Sequence, residues 1–152
     1  MKIALASDHA GFDLKDGIAR WLAGRGVPCT DFGSRAGEKV DYVDTAEQAV
    51  LSVLSGAHDR AILICGTGMG MSIIANKFRG IRATLCWNEY TAEMSRLHND
   101  SNCLTLGGRV LSLELGLKIV DIWLAAVFEG GRHLRRLDKL RAIEERNFKP
   151  LQ

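Results

Sequence analysis

Residues 65–70, C-G-T-G-M-G, join a wholly apolar run, Ala61–Cys65, to a helical pattern and place a thiol at the mouth of a glycine turn. Glycines at alternate positions (Gly66, Gly68, Gly70) let backbone N–H groups turn inward together and approach an anion closely. The start of the following helix adds partial positive charge. Helix starts and nearby cations favour the thiolate of a cysteine so placed. A dinucleotide fingerprint fits poorly, because it follows the first strand and carries an acidic residue about 20 positions later. Here the turn follows the third strand, its third glycine is misplaced, and position 90 is tyrosine. A P-loop fails as well, since Gly70-Met71-Ser72 lacks the lysine. A tight strand–helix turn with no ligand accounts equally for the pattern.

Two more clusters hold groups suited to proton transfer. Ser7-Asp8-His9-Ala10-Gly11-Phe12 follows the first strand, and His98-Asn99-Asp100 ends the helix before the last one. Histidine is the usual acid or base near neutral pH. Helix capping by Asp8 and structural hydrogen bonding by His98 are the plainer readings of the same residues. The four cysteines form no C-x-x-C pair, and no H-x-x-H or H-E-x-x-H spacing occurs, so no metal is expected. Cys29, Cys86 and Cys103 read as small buried core residues.

These clusters need a scaffold, and the hydrophobic pattern supplies one. Short β-rich runs at Ile3–Ser7, Val27–Phe32, Ala61–Cys65, Ile81–Cys86 and Cys103–Leu106 alternate with amphipathic helical stretches. The helices are expected after the first strand (stripe Leu14, Ile18, Trp21, Leu22) and over Tyr42–Leu54, Met69–Phe78, Glu89–Leu97 and Leu111–Phe128. A last one spans about 131–147. This is an α/β pattern: a Rossmann-like three-layer αβα sandwich, a five-stranded parallel sheet and an extra C-terminal helix, read as a single domain over 1–152. Ligands in such sheets sit beyond the carboxyl ends of the strands. That rule singles out Asp8-His9, Cys65 with its turn, and the Gly107-Gly108-Arg109 corner. The leucine stripe of the last helix needs a surface, and a partner subunit would provide it.

With 152 residues, 47% apolar and 25% charged, the chain has an ordinary globular composition. No apolar stretch is long enough for a membrane span, and the amino end lacks the apolar length of a secretory signal, so the expected location is the cytoplasm. Free thiols agree with a reducing compartment. Net charge is +2, yet residues 131–149 hold seven basic against three acidic residues. A basic segment on a near-neutral body suggests an anionic ligand, or else a solvated helix face. Nucleic acid is disfavoured by the absence of aromatic interleaving and of a known motif.

Four blocks, S-D-H-A-G-F, I-C-G-T-G-M-G-M-S-I-I-A-N-K-F-R-G-I-R-A, H-N-D-S-N-C-L-T-L-G-G-R-V and F-E-G-G-R-H-L-R-R, occur in order over nearly the whole chain. Together they resemble the type B ribose-5-phosphate isomerases, which group with the galactose-6-phosphate isomerase subunits. The resemblance implies a cofactor-free, metal-free aldose–ketose isomerase, a homodimer with active sites between subunits, and pairing into a tetramer left open. It implies Cys65 as the base, since Met71 stands where some members carry a glutamate base. His98 would open the sugar ring, with Asp8 holding hydroxyls. Thr67, Asn99 and the backbone of Gly66, Gly68, Met69 and Gly70 would face the enediolate. His9, Arg109, Arg132 and Arg136 would bind the phosphate, and Tyr42 would wall the pocket. The implied substrates are ribose 5-phosphate and ribulose 5-phosphate. The rivals are a four- or six-carbon phosphosugar, and a non-catalytic phosphosugar-binding module. Val43 stands where many relatives carry proline, which is expected to loosen the loop holding Tyr42.

Overall fold

The computed structural model describes residues 1–148. Five parallel strands, β1 (Ile3–Ser7), β2 (Cys29–Asp31), β3 (Arg60–Cys65), β4 (Ala83–Leu85) and β5 (Cys103–Gly107), form one sheet in the order β2-β1-β3-β5-β4. The helices are α1 (Phe12–Gly24), α2 (Tyr42–Leu54), α3 (Met69–Ala75), α4 (Glu89–Leu97), α5 (Leu113–Ala125) and α6 (Arg132–Asn147). No helix of the described residues is long and apolar enough to cross a membrane. Lys149, counted in the basic segment, lies outside the described residues, as do positions 150–152.

Strand alternation divides the core into two layers of different texture. Ile3, Leu5, Ile62, Ile64, Leu104 and Leu106 point to one face and pack with α1, α4 and α5 through Ile18, Ala92, Ile119 and Trp123. Ala4, Ala6, Ala61, Leu63 and Cys65 point to the other, against α2 and α3 through Ala46, Val50, Met71 and Ala75. The alanines of this second face let α2 and α3 lie close to the strands, and β3 runs straight from this face into the glycine turn through Cys65.

The expected sandwich is present, with differences at its edges. β2 and β4 are each three residues long, half of what the apolar runs suggest, and both are outermost strands with a neighbour on one side only. Cys29, expected in the core, is exposed on β2, while Cys86 and Cys103 are buried as expected. α3 stops at Ala75 rather than Phe78. The Asn76 side chain ends it by donating to the carbonyls of Ser72 and Ala83 (2.9 Å each) and accepting the Ala83 N–H at 2.9 Å. α6 belongs to neither layer. His133 and Leu137 are its buried residues, while Leu134, Leu140 and Ile143 remain more than two-fifths exposed.

Candidate active site

The strand order places the carboxyl ends of β1, β3 and β5 side by side, with Ser7 in register with Ile64 and Cys65 with Gly107. The loops after these strands are stitched together. Asp8 N–H donates to Ile64 O (3.2 Å), Gly108 N–H to Cys65 O (2.8 Å) and Arg109 N–H to Gly66 O (3.0 Å). Cys65 is buried, and its Sγ accepts the Gly68 N–H at 3.2 Å. The sulfur therefore faces the glycine turn that the sequence pointed to, and the donor that reaches it comes from the backbone.

Close backbone approach explains two of the glycines. Gly68 has φ +79°, and a Cβ there would lie 2.9 Å from Leu106 C. A Cβ on Gly107 would meet the Thr67 backbone at 2.9 Å. The turn is thus clamped onto β5, and Thr67 and Met69 stay exposed beside the sulfur. Tyr42, the first residue of α2, lays its ring against Gly70. Asp41 caps α2 by accepting the Val43 N–H at 3.0 Å, so Val43 ties this segment down. A proline at position 43 would lack that donor.

Asp8 is 8% exposed, and its Oδ1 accepts the N–H groups of Ala10 (2.9 Å) and Gly11 (3.0 Å). The capping reading is correct, and the cap leaves Oδ2 for another partner. His9 and Arg109 are exposed on the same rim, with Arg109 lying over Gly66. One edge of the sheet thus gathers Asp8, His9, Tyr42, Cys65, Gly66, Thr67, Gly68, Met69, Gly70 and Arg109.

The other expected residues stand elsewhere. His98 and Asn99 follow α4, which runs back towards the amino ends of the strands. Asn102 O accepts the Ala61 N–H at 3.0 Å there, four residues before Cys65 along β3. At about 3.3 Å per strand residue, roughly 13 Å separates that edge from Cys65. Glu129 N–H donates to Leu97 O at 3.1 Å, which docks the start of α6 beside His98. Arg132 and Arg136, one helical turn apart, are exposed there. Within one chain, then, Cys65 and His98 occupy opposite edges of the sheet.

The second cluster is held by residues that sequence reasoning did not assign. Asp100 adopts φ +44°, and its carboxylate accepts from Arg82 and Arg96 at 2.9 Å each. Arg82 Nε also donates to the carbonyls of Asn99 (3.1 Å) and Asp100 (2.9 Å). These bonds fix the turn that presents His98 and Asn99. Glu129 and His133 were also unassigned, although both lie in the F-E-G-G-R-H block. His133 is 3% exposed, and its ring stacks on His98 with centroids 4.1 Å apart and planes 3° from parallel.

His98, Glu129 and His133 each offer a ligand atom within 4.8 Å of the others. Imidazole lone pairs lie in the ring plane, so in this parallel stack they run side by side instead of converging. A tetrahedral ion needs nitrogens aimed at it from about 2.0–2.1 Å. In addition, His133 Nε2 already accepts the Arg132 Nε–H at 3.2 Å. The arrangement does not suit a metal.

The profile of the Ribose/Galactose Isomerase family matches residues 3–140. The chain is 52% identical over 145 residues to ribose-5-phosphate isomerase B of Escherichia coli (strain K12), covering 95% of this chain and 97% of that one. It superimposes on ribose-5-phosphate isomerase B of Clostridium thermocellum with TM-score 0.94 and 53% identity, over 96% of this chain and 99% of the other. The enzyme from Mycoplasma genitalium, solved with bound ribulose-5-phosphate, gives TM-score 0.90 and 40% identity over 95% and 96% of the chains. A thiol facing a clamped glycine turn, a stacked histidine and two arginines one turn apart are thus set in a fold shared over nearly the whole chain, and the chain belongs to the ribose/galactose isomerase family.

Proposed function

We propose that this chain is an aldose–ketose isomerase that interconverts ribose 5-phosphate and ribulose 5-phosphate through a cis-enediolate, with Cys65 as the base. The observation that carries the assignment of the base is the Cys65 Sγ facing the turn 66–70 with Gly68 N–H 3.2 Å away. Met71, the position that could hold an alternative base, is fully buried and cannot take a proton.

The reaction begins with a ring. His98 would pass a proton to the ring oxygen as the C1 hydroxyl loses its own, which breaks the C1–ring oxygen bond and frees the aldehyde. Cys65 thiolate then takes the proton from C2, and the electron pair moves through C1=C2 onto O1. The enediolate is the high-energy species, and preorganised donors are worth most there. Turn N–H groups, Thr67 and Asn99 are the donors proposed. Returning the proton to C1, while the proton on O2 moves to O1, gives the ketose. His9, Arg109, Arg132 and Arg136 would hold the phosphate far from the reacting carbons, where binding energy serves orientation.

One chain cannot run this sequence, because His98, Asn99, Arg132 and Arg136 lie at the edge of the sheet remote from Cys65. We infer a homodimer in which the Cys65 edge of one subunit meets the His98 edge of its partner, giving two sites about a twofold axis. The half-exposed leucines of α6 support this reading, since they would pack on the partner. Free thiols are in keeping with a cytoplasmic location.

The test follows ketose formation from ribose 5-phosphate by chelator-treated protein, for wild type and Cys65→Ala. Turnover of the variant should fall at least 10²-fold, the usual contribution of a positioned base, with little loss of substrate binding. Near-wild-type turnover would remove Cys65 as base. Arg132→Ala should chiefly raise KM. Activity on a four- or six-carbon aldose phosphate but none on ribose 5-phosphate would change the substrate and keep the reaction.

A further inference from the structure

His133 has no part in the mechanism above, yet it touches both functional groups at its end of the sheet. Its ring lies flat on His98, and its Nε2 accepts the Nε–H of Arg132 at 3.2 Å. The residue is held firmly from its own helix, where its N–H donates to Gly130 O at 3.0 Å and its side chain is 4% exposed. Its Nδ1 is buried with no partner among the described residues. A buried polar atom left unpaired carries a desolvation cost, so packing alone would be served as well by a leucine. A histidine here does two things that leucine cannot: it offers a flat aromatic face and an in-plane acceptor.

We propose that His133 is a positioning residue that holds His98 for ring opening with its face and aims the phosphate-binding Arg132 with its Nε2. The inference rests on the proposed roles of His98 and Arg132. The groups facing His133 are His98 from the turn after α4, Glu129 from the loop before α6, and Arg132 and Arg136 from α6 itself. Glu129 Oε2 lies 3.5 Å from His133 Nε2 and 3.8 Å from His98 Nε2. Burial, the two arginines and His98 all favour the neutral ring, and only a neutral Nε2 can accept from Arg132. With one face of His98 covered by His133, its edge and opposite face are left to meet a sugar.

Two substitutions separate the two contacts. His133→Phe keeps the aromatic face and loses the acceptor. KM for ribose 5-phosphate should rise roughly three- to tenfold, the range of one lost hydrogen bond, with kcat within about twofold. His133→Gln keeps an acceptor and loses the face. Its kcat from ribose 5-phosphate should fall roughly tenfold to a hundredfold, as for a misplaced catalytic group, with little change in KM. Ribulose 5-phosphate cannot close a five-membered ring, because its C5 oxygen carries the phosphate. Exchange of its C1 hydrogen with deuterium oxide therefore needs the base but no ring opening, and should survive in His133→Gln.

Equal loss of kcat, KM and exchange in both variants, tracking a lowered Tm, would mark His133 as structural and overturn the proposal. So would wild-type kinetics in both. His98→Asn separates the two layers of inference. If it loses turnover of ribose 5-phosphate while keeping exchange, the ring-opening role stands and the His133 variants judge positioning alone. If it keeps turnover, that role fails, and the His98 half of the proposal fails with it. The His98 ring-proton shifts give a reading independent of activity: they carry the ring current of the stacked neighbour, so His133→Gln should move them and His133→Phe should not. Unmoved shifts in His133→Gln overturn the stacking role.

Discussion

Tyr42 and Gly70 touch across the mouth of the glycine turn: a Cβ on Gly70 would come within 2.8 Å of Tyr42 Cε2 and 2.9 Å of its Cζ. These atoms are the far end of a side chain that is 37% exposed, so the ring can move without shifting the backbone. Gly70→Ala should fold with a Tm close to wild type. It should raise KM for the sugar phosphate several-fold, because the wall of the proposed pocket is displaced. Calorimetry and steady-state kinetics on the same preparation check both halves, and an unchanged KM would remove Tyr42 from the pocket.

Gly68 is the opposite case. Its φ of +79° is strained for any side chain, and the atom a Cβ would meet at 2.9 Å belongs to the Leu106 backbone of β5. Gly68→Ala should cost about 1–3 kcal/mol from the backbone conformation alone. It should also swing the N–H that faces Cys65 Sγ away from the sulfur. Stability and turnover should fall together, in contrast with Gly70→Ala. A thermal melt beside a turnover assay makes the comparison.

His133 sets part of the acid limb of stability. Burial, with His98, Arg132 and Arg136 adding to it, lowers its pKa below the ordinary 6.5, and Glu129 opposes them weakly. The unfolded chain therefore binds a proton that the folded chain refuses once pH drops below about 6.5. Stability from this residue is whole above that pH and is lost as pH falls towards the depressed value. Melts between pH 7.5 and 5 should show a smaller acid loss for His133→Phe than for wild type. Parallel curves would assign the acid limb to other groups.

The sheet and the Cys65 edge were legible in the sequence because both follow from local chain chemistry. Short apolar, β-rich runs mark the strands and period-3.6 stripes the helices, and the rule of carboxyl strand ends picks out Asp8, Cys65 and Arg109. Edge strands were overread, since Val27 and Ile81 are as apolar as core strand residues but flank strands with a single neighbour. The His98 edge was harder, because it depends on long-range docking. Asp100 with Arg82, and Glu129 with His98, are 18 and 31 positions apart, and no periodicity marks such pairs. His133 lies inside a recognised block without a role because the ring it stacks on, His98, is 35 positions away in the turn after α4.

The separation of Cys65 from His98 gives the sharpest prediction about assembly. Cys65→Ala and His98→Asn should each be nearly inactive as homodimers, since every site lacks one of the two groups. If the two chains are unfolded together and refolded, random pairing makes about half of the dimers hybrids. Each hybrid carries one site with neither group and one with Cys65 from one subunit and His98 from the other. The mixture should recover about one quarter of wild-type activity on ribose 5-phosphate. Mixing the two folded proteins without unfolding should recover less, at a rate set by subunit exchange. A site built within one chain predicts no recovery in either experiment, because no pairing could then bring an intact Cys65 to an intact His98.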